Sequence, residues 1–259
     1  MLLKDRVVIV SGIGPGLGQA VARALVREGA AVVLAARSED KLRALADEVR
    51  AAGGRALAVA TDIADSSSCR ALAEKCLGEF GRIDGLVNNA YHPGTYESIE
   101  TTDLDTWKPP FEVNVLGSLR LSQAVIPEMK KKGRGSIVMI NSMSMRRIMA
   151  TFGGYAASKA ALNAATQTLA LEVGSYGIRV NSVVPGYIWG PPLEGYFAAE
   201  AAKAGVAPKV IYDSVAGETA LKHIPTSEEI AESVVFFVSD MSRVITGQSL
   251  DVNAGHWFW

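Results

Sequence analysis

Cysteine and histidine are scarce: two of the first and three of the second in 259 residues. Cys69 and Cys76 fall in a segment that reads as one helix, on one face and two turns apart. Two turns span roughly 10 Å, which is beyond the reach of a disulfide. His92, His223 and His256 stand singly, without the spacing of a metal site. No metal is expected. An excess of charge of one sign is missing as well. The 26 Lys and Arg against 27 Asp and Glu leave a formal net charge of -1, so the basic surplus that neutralises phosphates in a nucleic-acid binder is absent. Long hydrophobic runs are also lacking. The apolar stretch Val7 to Val10 ends at once in glycines and a proline, too short for a signal-peptide core or a membrane span. From this we expect a cytoplasmic protein, with no membrane partner and with its thiols reduced.

What is present is a globular composition, 49% hydrophobic and 20% charged. A single α/β domain covers chains of this length, and we expect one domain over residues 1–259. Short aliphatic runs alternate with longer amphipathic stretches, the pattern of a parallel sheet with crossover helices. Seven strands are expected, at Arg6 to Val10, Ala31 to Ala35, Arg55 to Ala60, Gly85 to Asn88, Ser136 to Asn141, Arg179 to Val184 and Ser249 to Val252. Helices are expected near Gly18 to Glu28, Asp40 to Ala52, Ser66 to Phe80, Phe111 to Lys132, Tyr155 to Ser175 and Ser227 to Val238. Right-handed crossovers would put helices on both faces, a doubly wound, Rossmann-like sheet. Pro109-Pro110 should split the helical region that begins near Thr102. The least regular stretch is 187–225, rich in Pro, Gly, Tyr and Ala. An insertion after a late strand lies at the carboxyl edge of such a sheet, so we expect a substrate loop there.

Strand one runs into Ser11-Gly12-Ile13-Gly14-Pro15-Gly16-Leu17-Gly18, followed by an amphipathic helix. Glycines allow positive φ and close approach of backbone to a pyrophosphate, and a helix N-terminus offers free N–H groups. The strict G-x-G-x-x-G spacing is absent, and Gly12, Gly16 and Gly18 give G-x-x-x-G-x-G instead. At the tip of strand two, where an acid would hold a ribose 2'-hydroxyl, stand Ala36 and Arg37. A cation there suits a 2'-phosphate, so NADP(H) is favoured over NAD(H). Glu39 and Asp40 read as first-turn acids of a helix capped by Ser38.

Tyr155-Ala156-Ala157-Ser158-Lys159 opens an Ala-rich helix, and residues at i and i+4 share a face. An adjacent ammonium favours phenolate, which makes Tyr155 a usable proton donor or acceptor. Taken alone, the pair could equally be ordinary packing.

Together these motifs, in this order, resemble the short-chain dehydrogenase/reductase family over essentially the whole chain. Asp62 is similar to that family's acid after strand three, Asn88-Asn89-Ala90 to the motif closing strand four, and Asn114 to its active-site asparagine. Ser142 matches the serine ending strand five, and Asn181, Pro185 and Gly186 the segment after strand six. The resemblance implies an NAD(P)-dependent enzyme acting on CH–OH or C=O groups. It makes Tyr155 the general acid or base, Lys159 the residue that binds the nicotinamide ribose and tunes the tyrosine, Ser142 the partner of the substrate oxygen and Asn114 the holder of a relay water. It also places Gly12, Gly16, Leu17, Gly18, Arg37, Asp62, Ile63, Asn89, Ala90, Tyr155, Lys159, Pro185, Gly186 and Ile188 along the cofactor. A homotetramer is implied first and a dimer second. Three departures stand out: Tyr91 where a glycine is usual, Gly190 in place of a threonine, and Asn253-Ala254-Gly255 for Asp-Gly-Gly. The aromatic end His256-Trp257-Phe258-Trp259 is expected to pack on a partner subunit or on the substrate loop.

Tyr91, Tyr96, Met143, Met145, Tyr187, Trp189, Tyr196, Phe197 and Tyr212 gather around the expected site. As pocket residues they suit a hydrophobic ketone or alcohol, cyclic ones included, although plain packing explains such residues as well. Arg146 and Arg147 keep open reduction of a 3-oxoacyl thioester, if they meet a carboxylate or a carrier's phosphate, and are otherwise a solvated pair. A reading from another class is a non-catalytic NADP(H)-binding sensor or scaffold.

Overall fold

A computed structural model describes residues 1–258. The strands are β1 (Val7–Ser11), β2 (Ala31–Ala36), β3 (Ala56–Ala60), β4 (Gly85–Asn88), β5 (Gly135–Ile140), β6 (Ile178–Pro185) and β7 (Ser249–Val252). All pair in parallel, in the order β3-β2-β1-β4-β5-β6-β7. The helices are α1 (Leu17–Arg27), α2 (Glu39–Ala51), α3 (Ser66–Phe80), α4 (Lys108–Pro110), α5 (Ser118–Lys132), α6 (Gly153–Val173), α7 (Pro191–Ala204), α8 (Pro208–Glu218) and α9 (Ser227–Val238). Each expected strand and helix is found with ends shifted by a residue or two, except that the helix expected over Phe111 to Lys132 becomes α-helical only at Ser118.

Strand side chains alternate between the two faces, and each face has its own core. Val8, Val10, Val32 and Leu34 pack with α1, α2 and α9, whereas Val7, Ile9, Ala31 and Val33 pack with α3, α5 and α6. Helices on both faces make a doubly wound Rossmann-like sheet. Burial of each such aliphatic side chain contributes about 1.5–3 kcal/mol, so the sheet is a rigid base for whatever its carboxyl edge carries. Cys69 and Cys76 are free thiols inside the second core, and burial pushes them up to about 11 and about 12.

Pro109 and Pro110 lie in the first turn of a helix starting at Lys108, after a 3-10 turn at Leu104–Trp107. A proline is tolerated in that first turn because the N–H it lacks has no partner there. The helix then winds as a π-helix over Phe111–Gly117 before becoming α5. Segment 187–225 is more regular than its composition suggests. Pro191 and Pro208 stand at helix starts instead of breaking helices, and the segment forms α7 and α8. Phe197, Ala216 and Ile224 make a third, separate apolar cluster, flanked by Tyr187, Trp189, Leu193 and Tyr212. Ser38 occupies the N-cap of α2, yet its hydroxyl makes no capping hydrogen bond. The first-turn acid Glu39 is paired 2.6 Å from Arg43. Among the described residues no helix is long and apolar enough to cross a membrane, and no cluster of three His, Cys, Asp or Glu could hold a metal ion.

Candidate active site

The strand order reverses between β1 and β4, and the loops leaving their carboxyl ends diverge there into a crevice. Its floor is held open by glycine. At Gly12, φ is +75° and a Cβ would lie 2.4 Å from the Ala90 nitrogen. At Gly18, a Cβ would lie 2.4 Å from the Gly12 oxygen and 2.9 Å from Asn89 Nδ2. Asn89 closes this corner by donating from Nδ2 to the Gly12 carbonyl at 2.8 Å, while its backbone N–H donates to Ser11 Oγ at 3.2 Å. The N-terminus of α1 follows directly and leaves its first amides unpaired within the helix. A cradle without side chains, facing free amides, fits the pyrophosphate of a dinucleotide.

A cleft of about 580 Å³ extends from this cradle along the carboxyl edge. Gly12, Gly16, Leu17, Gly18, Asn89, Ser142, Tyr155, Lys159, Pro185, Gly186 and Ile188 all line it. Ala90 sits behind Gly12, and Ile63 is packed against Gly117. Arg37 and Asp62 are exposed outside the lining. Arg37 makes no hydrogen bond or ion pair among the described residues. Asp62 accepts the Ala64 N–H at 3.0 Å. The lining also includes Asn141, Ser227 and Glu228, which sequence reasoning missed. Ser227 and Glu228 begin α9, whose start is fixed by a capping box between Thr226 and Glu229. The Thr-x-x-Glu spacing was the available signal.

Lys159 is 2% exposed, and its Nζ donates to the Ile140 carbonyl at 2.8 Å. Burial brings its amine down to about 7. Its Nζ is 5.7 Å from the Tyr155 ring centre. Burial pushes the Tyr155 phenol well above its ordinary value, and Ser142, as a hydrogen-bond partner, opposes that rise. At neutral pH the phenol therefore keeps its proton, beside an amine that is protonated in part.

Asn114 lies in the π-helical stretch, fully buried, and its amide is committed. Oδ1 accepts the His92 N–H at 2.7 Å, and Nδ2 donates to the His92 carbonyl at 3.0 Å and to Ser158 Oγ at 2.9 Å. Ser158 in turn donates to the Tyr155 carbonyl at 2.7 Å. The side chain thus ties the loop after β4 to the first turn of α6. Both amide hydrogens are thereby used within the fold, and one lone pair of Oδ1 is left to accept from a water.

Of the aromatic and methionine candidates, Tyr91, Trp189 and Tyr196 line the cleft. Tyr91 is 61% exposed and sets its ring edge-on to Tyr155 at 6.4 Å. Phe197 and Met143 are core residues, Tyr96 stacks on Phe152, and Tyr187 and Tyr212 pack around the third cluster. Arg146 and Arg147 are not a solvated pair. Arg146 bonds Asp251, while Arg147 bonds Glu218 at 3.1 Å and also His256. His256 is buried, places Nε2 3.0 Å from the Glu218 carboxylate, which accepts, and stacks on Tyr187. Residues near 256 thus pack on segment 187–225 through His256, while Phe258 is exposed. Trp259 lies outside the described residues.

Comparison with known proteins adds to this geometry. The family described as "Enoyl-(Acyl carrier protein) reductase" matches residues 12–256. An uncharacterised oxidoreductase of Methylorubrum extorquens is 36% identical, covering 98% of each chain. Cis-4-hydroxycyclohexanecarboxylate dehydrogenase of Sinomonas cyclohexanicum is 32% identical, over 97% of this chain and 96% of its own. An NAD+-bound xylitol dehydrogenase superposes with a TM-score of 0.90 at 28% identity, covering 98% of this chain and all of that one.

Proposed function

Because the chain belongs to the short-chain dehydrogenase/reductase family, we propose that it moves a hydride between NADP(H) and a hydrophobic, ring-shaped ketone or secondary alcohol, with Tyr155 handling the proton. That it is a nicotinamide-dependent oxidoreductase of alcohol and carbonyl groups follows from its relatives. The observation that carries the finer reading is the convergence of Ser142, Tyr155 and Lys159 on one cleft with the glycine cradle.

When bound, the dinucleotide supplies the hydride in reduction and accepts it in oxidation. Gly12, Gly16 and Gly18 with the α1 amides hold its pyrophosphate, and Arg37 meets the 2'-phosphate. Leu17, Asn89, Ala90, Pro185, Gly186 and Ile188 flank its length, and Asp62 with Ile63 borders the adenine end. In reduction, Ser142 Oγ and Tyr155 Oη hydrogen-bond the substrate oxygen, where negative charge grows as hydride arrives. Tyr155 Oη then gives up its proton. That phenolate, disfavoured by burial, is met by the Lys159 amine, which holds a proton nearby. Reprotonation would reach Lys159 through a water held at Asn114, whose Oδ1 keeps one lone pair free.

The substrate is argued from the far wall. Tyr91, Trp189, Leu193 and Tyr196 offer apolar faces, and flat rings favour a flat or cyclic partner. The relative acting on a hydroxycyclohexane acid supports the same class. The thioester alternative draws on the printed family description. Against it, Arg146 and Arg147 already have partners within the fold. Leu171 and Tyr176, exposed on α6 and just beyond it, support a subunit contact and hence a homotetramer or a dimer. Buried free thiols suit a cytoplasmic location.

The test is loss of reduced-nicotinamide absorbance with NADPH or NADH against cyclic ketones, linear ketones and an acyl thioester. Tyr155→Phe runs alongside, and its rate on the accepted substrate should fall about 10²–10⁴-fold with dinucleotide binding retained. Turnover of the thioester alone would overturn the substrate reading. Full turnover by Tyr155→Phe would overturn the mechanism, and binding without turnover on any substrate would leave the sensor reading standing.

A further inference from the structure

A serine hydroxyl carries one hydrogen to donate and two lone pairs that accept. In this fold both lone pairs of Ser142 Oγ are taken from behind. Ser142 caps the short 3-10 turn Met143–Met145, and its Oγ accepts the Ser144 backbone N–H at 3.2 Å. It also accepts the Ser144 side-chain hydroxyl at 3.0 Å. Ser144 is 3% exposed and lies outside the cleft lining, so it cannot reach a substrate. The bond to Ser142 is the one hydrogen bond its side chain makes among the described residues. The partly exposed Ser142 hydroxyl then has one option left, which is to point its hydrogen into the cleft.

We propose that Ser144 is a positioning residue that makes Ser142 an obligate hydrogen-bond donor to the substrate oxygen. The proposal rests on the reading of Ser142 as a partner of that oxygen and goes beyond it by fixing the direction of the bond. Direction matters because an ordinary serine beside a phenol has two choices. It donates to the reacting oxygen, or it rotates to accept the phenol's own O–H. The second choice withdraws the Tyr155 proton from the substrate and leaves the growing negative charge with one donor fewer. Filling both lone pairs removes it. The geometry has a further consequence: the same donated hydrogen, turned toward Tyr155 Oη, stabilises the phenolate, in keeping with the way Ser142 opposes the rise of that phenol.

The test compares Ser142→Ala, Ser144→Ala and Ser144→Thr with the parent, on the substrate the panel identifies. It reads kcat, KM and the pH profile of alcohol oxidation. Ser144→Ala keeps the backbone N–H and frees one lone pair. Its kcat should fall roughly three- to tenfold, the fold-change equivalent of one neutral hydrogen bond, with KM nearly unchanged. The rising limb of its oxidation profile should move to higher pH. Ser144→Thr keeps the hydroxyl and should restore both. Three results would overturn the proposal. If Ser142→Ala is crippled while Ser144→Ala matches the parent, Ser142 acts without help and only this inference falls. If Ser144→Ala loses activity that Ser144→Thr does not restore, with the pH profile unmoved, Ser144 is merely structural. If Ser142→Ala itself keeps the parent kcat, the underlying reading of Ser142 fails and takes the inference with it.

Discussion

Replacing Lys159 by methionine should make the protein more stable at neutral pH while destroying its activity, and the gain should vanish in alkali. Lys159 is 2% exposed, and burial brings its amine from 10.5 down to about 7. An unfolded chain binds a proton at this lysine up to pH 10.5, whereas the folded chain releases it near 7. Between those values the unfolded state holds more protons, so stability rises with pH across the window. The full span is 3.5 units from the two printed values, which converts to about 5 kcal/mol at 1.36 kcal/mol per unit. At pH 7 itself the folded amine is half protonated, and the penalty is about 4 kcal/mol by the same linkage. Lys159→Met removes that penalty and loses the 2.8 Å hydrogen bond to the Ile140 carbonyl, worth about 1–2 kcal/mol. The net gain is about 2–3 kcal/mol, or roughly 5–10 °C in Tm for a chain of this size. At pH 10 less than about 1 kcal/mol of penalty remains, so the variant should match the parent or fall slightly below it. The assay is paired thermal melts of the two proteins from pH 6.5 to 10, read as a difference so that other titrations cancel. An advantage that is absent at pH 7, or as large at pH 10 as at pH 7, refutes the reasoning.

Gly12→Ala places a methyl against the Ala90 backbone at a positive φ, with a cost of about 1–2 kcal/mol for the left-handed backbone and about 1–3 for overpacking. Chemical denaturation should show the loss and dinucleotide titration a weakened complex; parent-like values in both would mean that the crevice floor yields freely. Arg37→Ala should weaken NADPH binding about 10–100-fold, as loss of a hydrogen bond to a charged group does, and leave NADH alone. Unchanged NADPH affinity would place the 2'-phosphate elsewhere. His256→Ala unfastens Glu218 and Arg147 and removes the ring stacked on Tyr187. Amides of α8 should then exchange faster while those of β1, β4 and β5 do not, and a uniform increase over the whole chain would contradict a local fastening.

Strand and helix positions were legible because each strand is a short apolar run and each crossover helix has its own stripe. The crevice was legible too, since Gly12, Gly16 and Gly18 announce a backbone conformation more than a side chain. What was hidden were facts of partnership. Asn114 reads as a chemical group, yet its amide also ties His92 to Ser158, residues brought to it by the fold and distant in sequence. Arg146 and Arg147 read as solvated or ligand-seeking cations, and their partners Asp251 and Glu218 lie more than 70 positions further along. Segment 187–225 read as irregular because sequence alone does not say which side of a helix start a proline occupies. Ser38 reads as a cap by residue type, and its rotamer decided otherwise. Asn141 gave no warning: it lines the cleft, yet its Nδ2 is buried without a partner among the described residues, a cost of about 1–3 kcal/mol that the surrounding core must offset.

The cluster of Phe197, Ala216 and Ile224 shares no member with either core of the sheet. Substitutions that do not touch one another combine nearly additively. Changes that reshape α7 and α8 therefore leave the strength of the sheet and its glycine cradle almost untouched. The wall that α7 brings to the cleft and the glycine cradle opposite it can thus be altered separately.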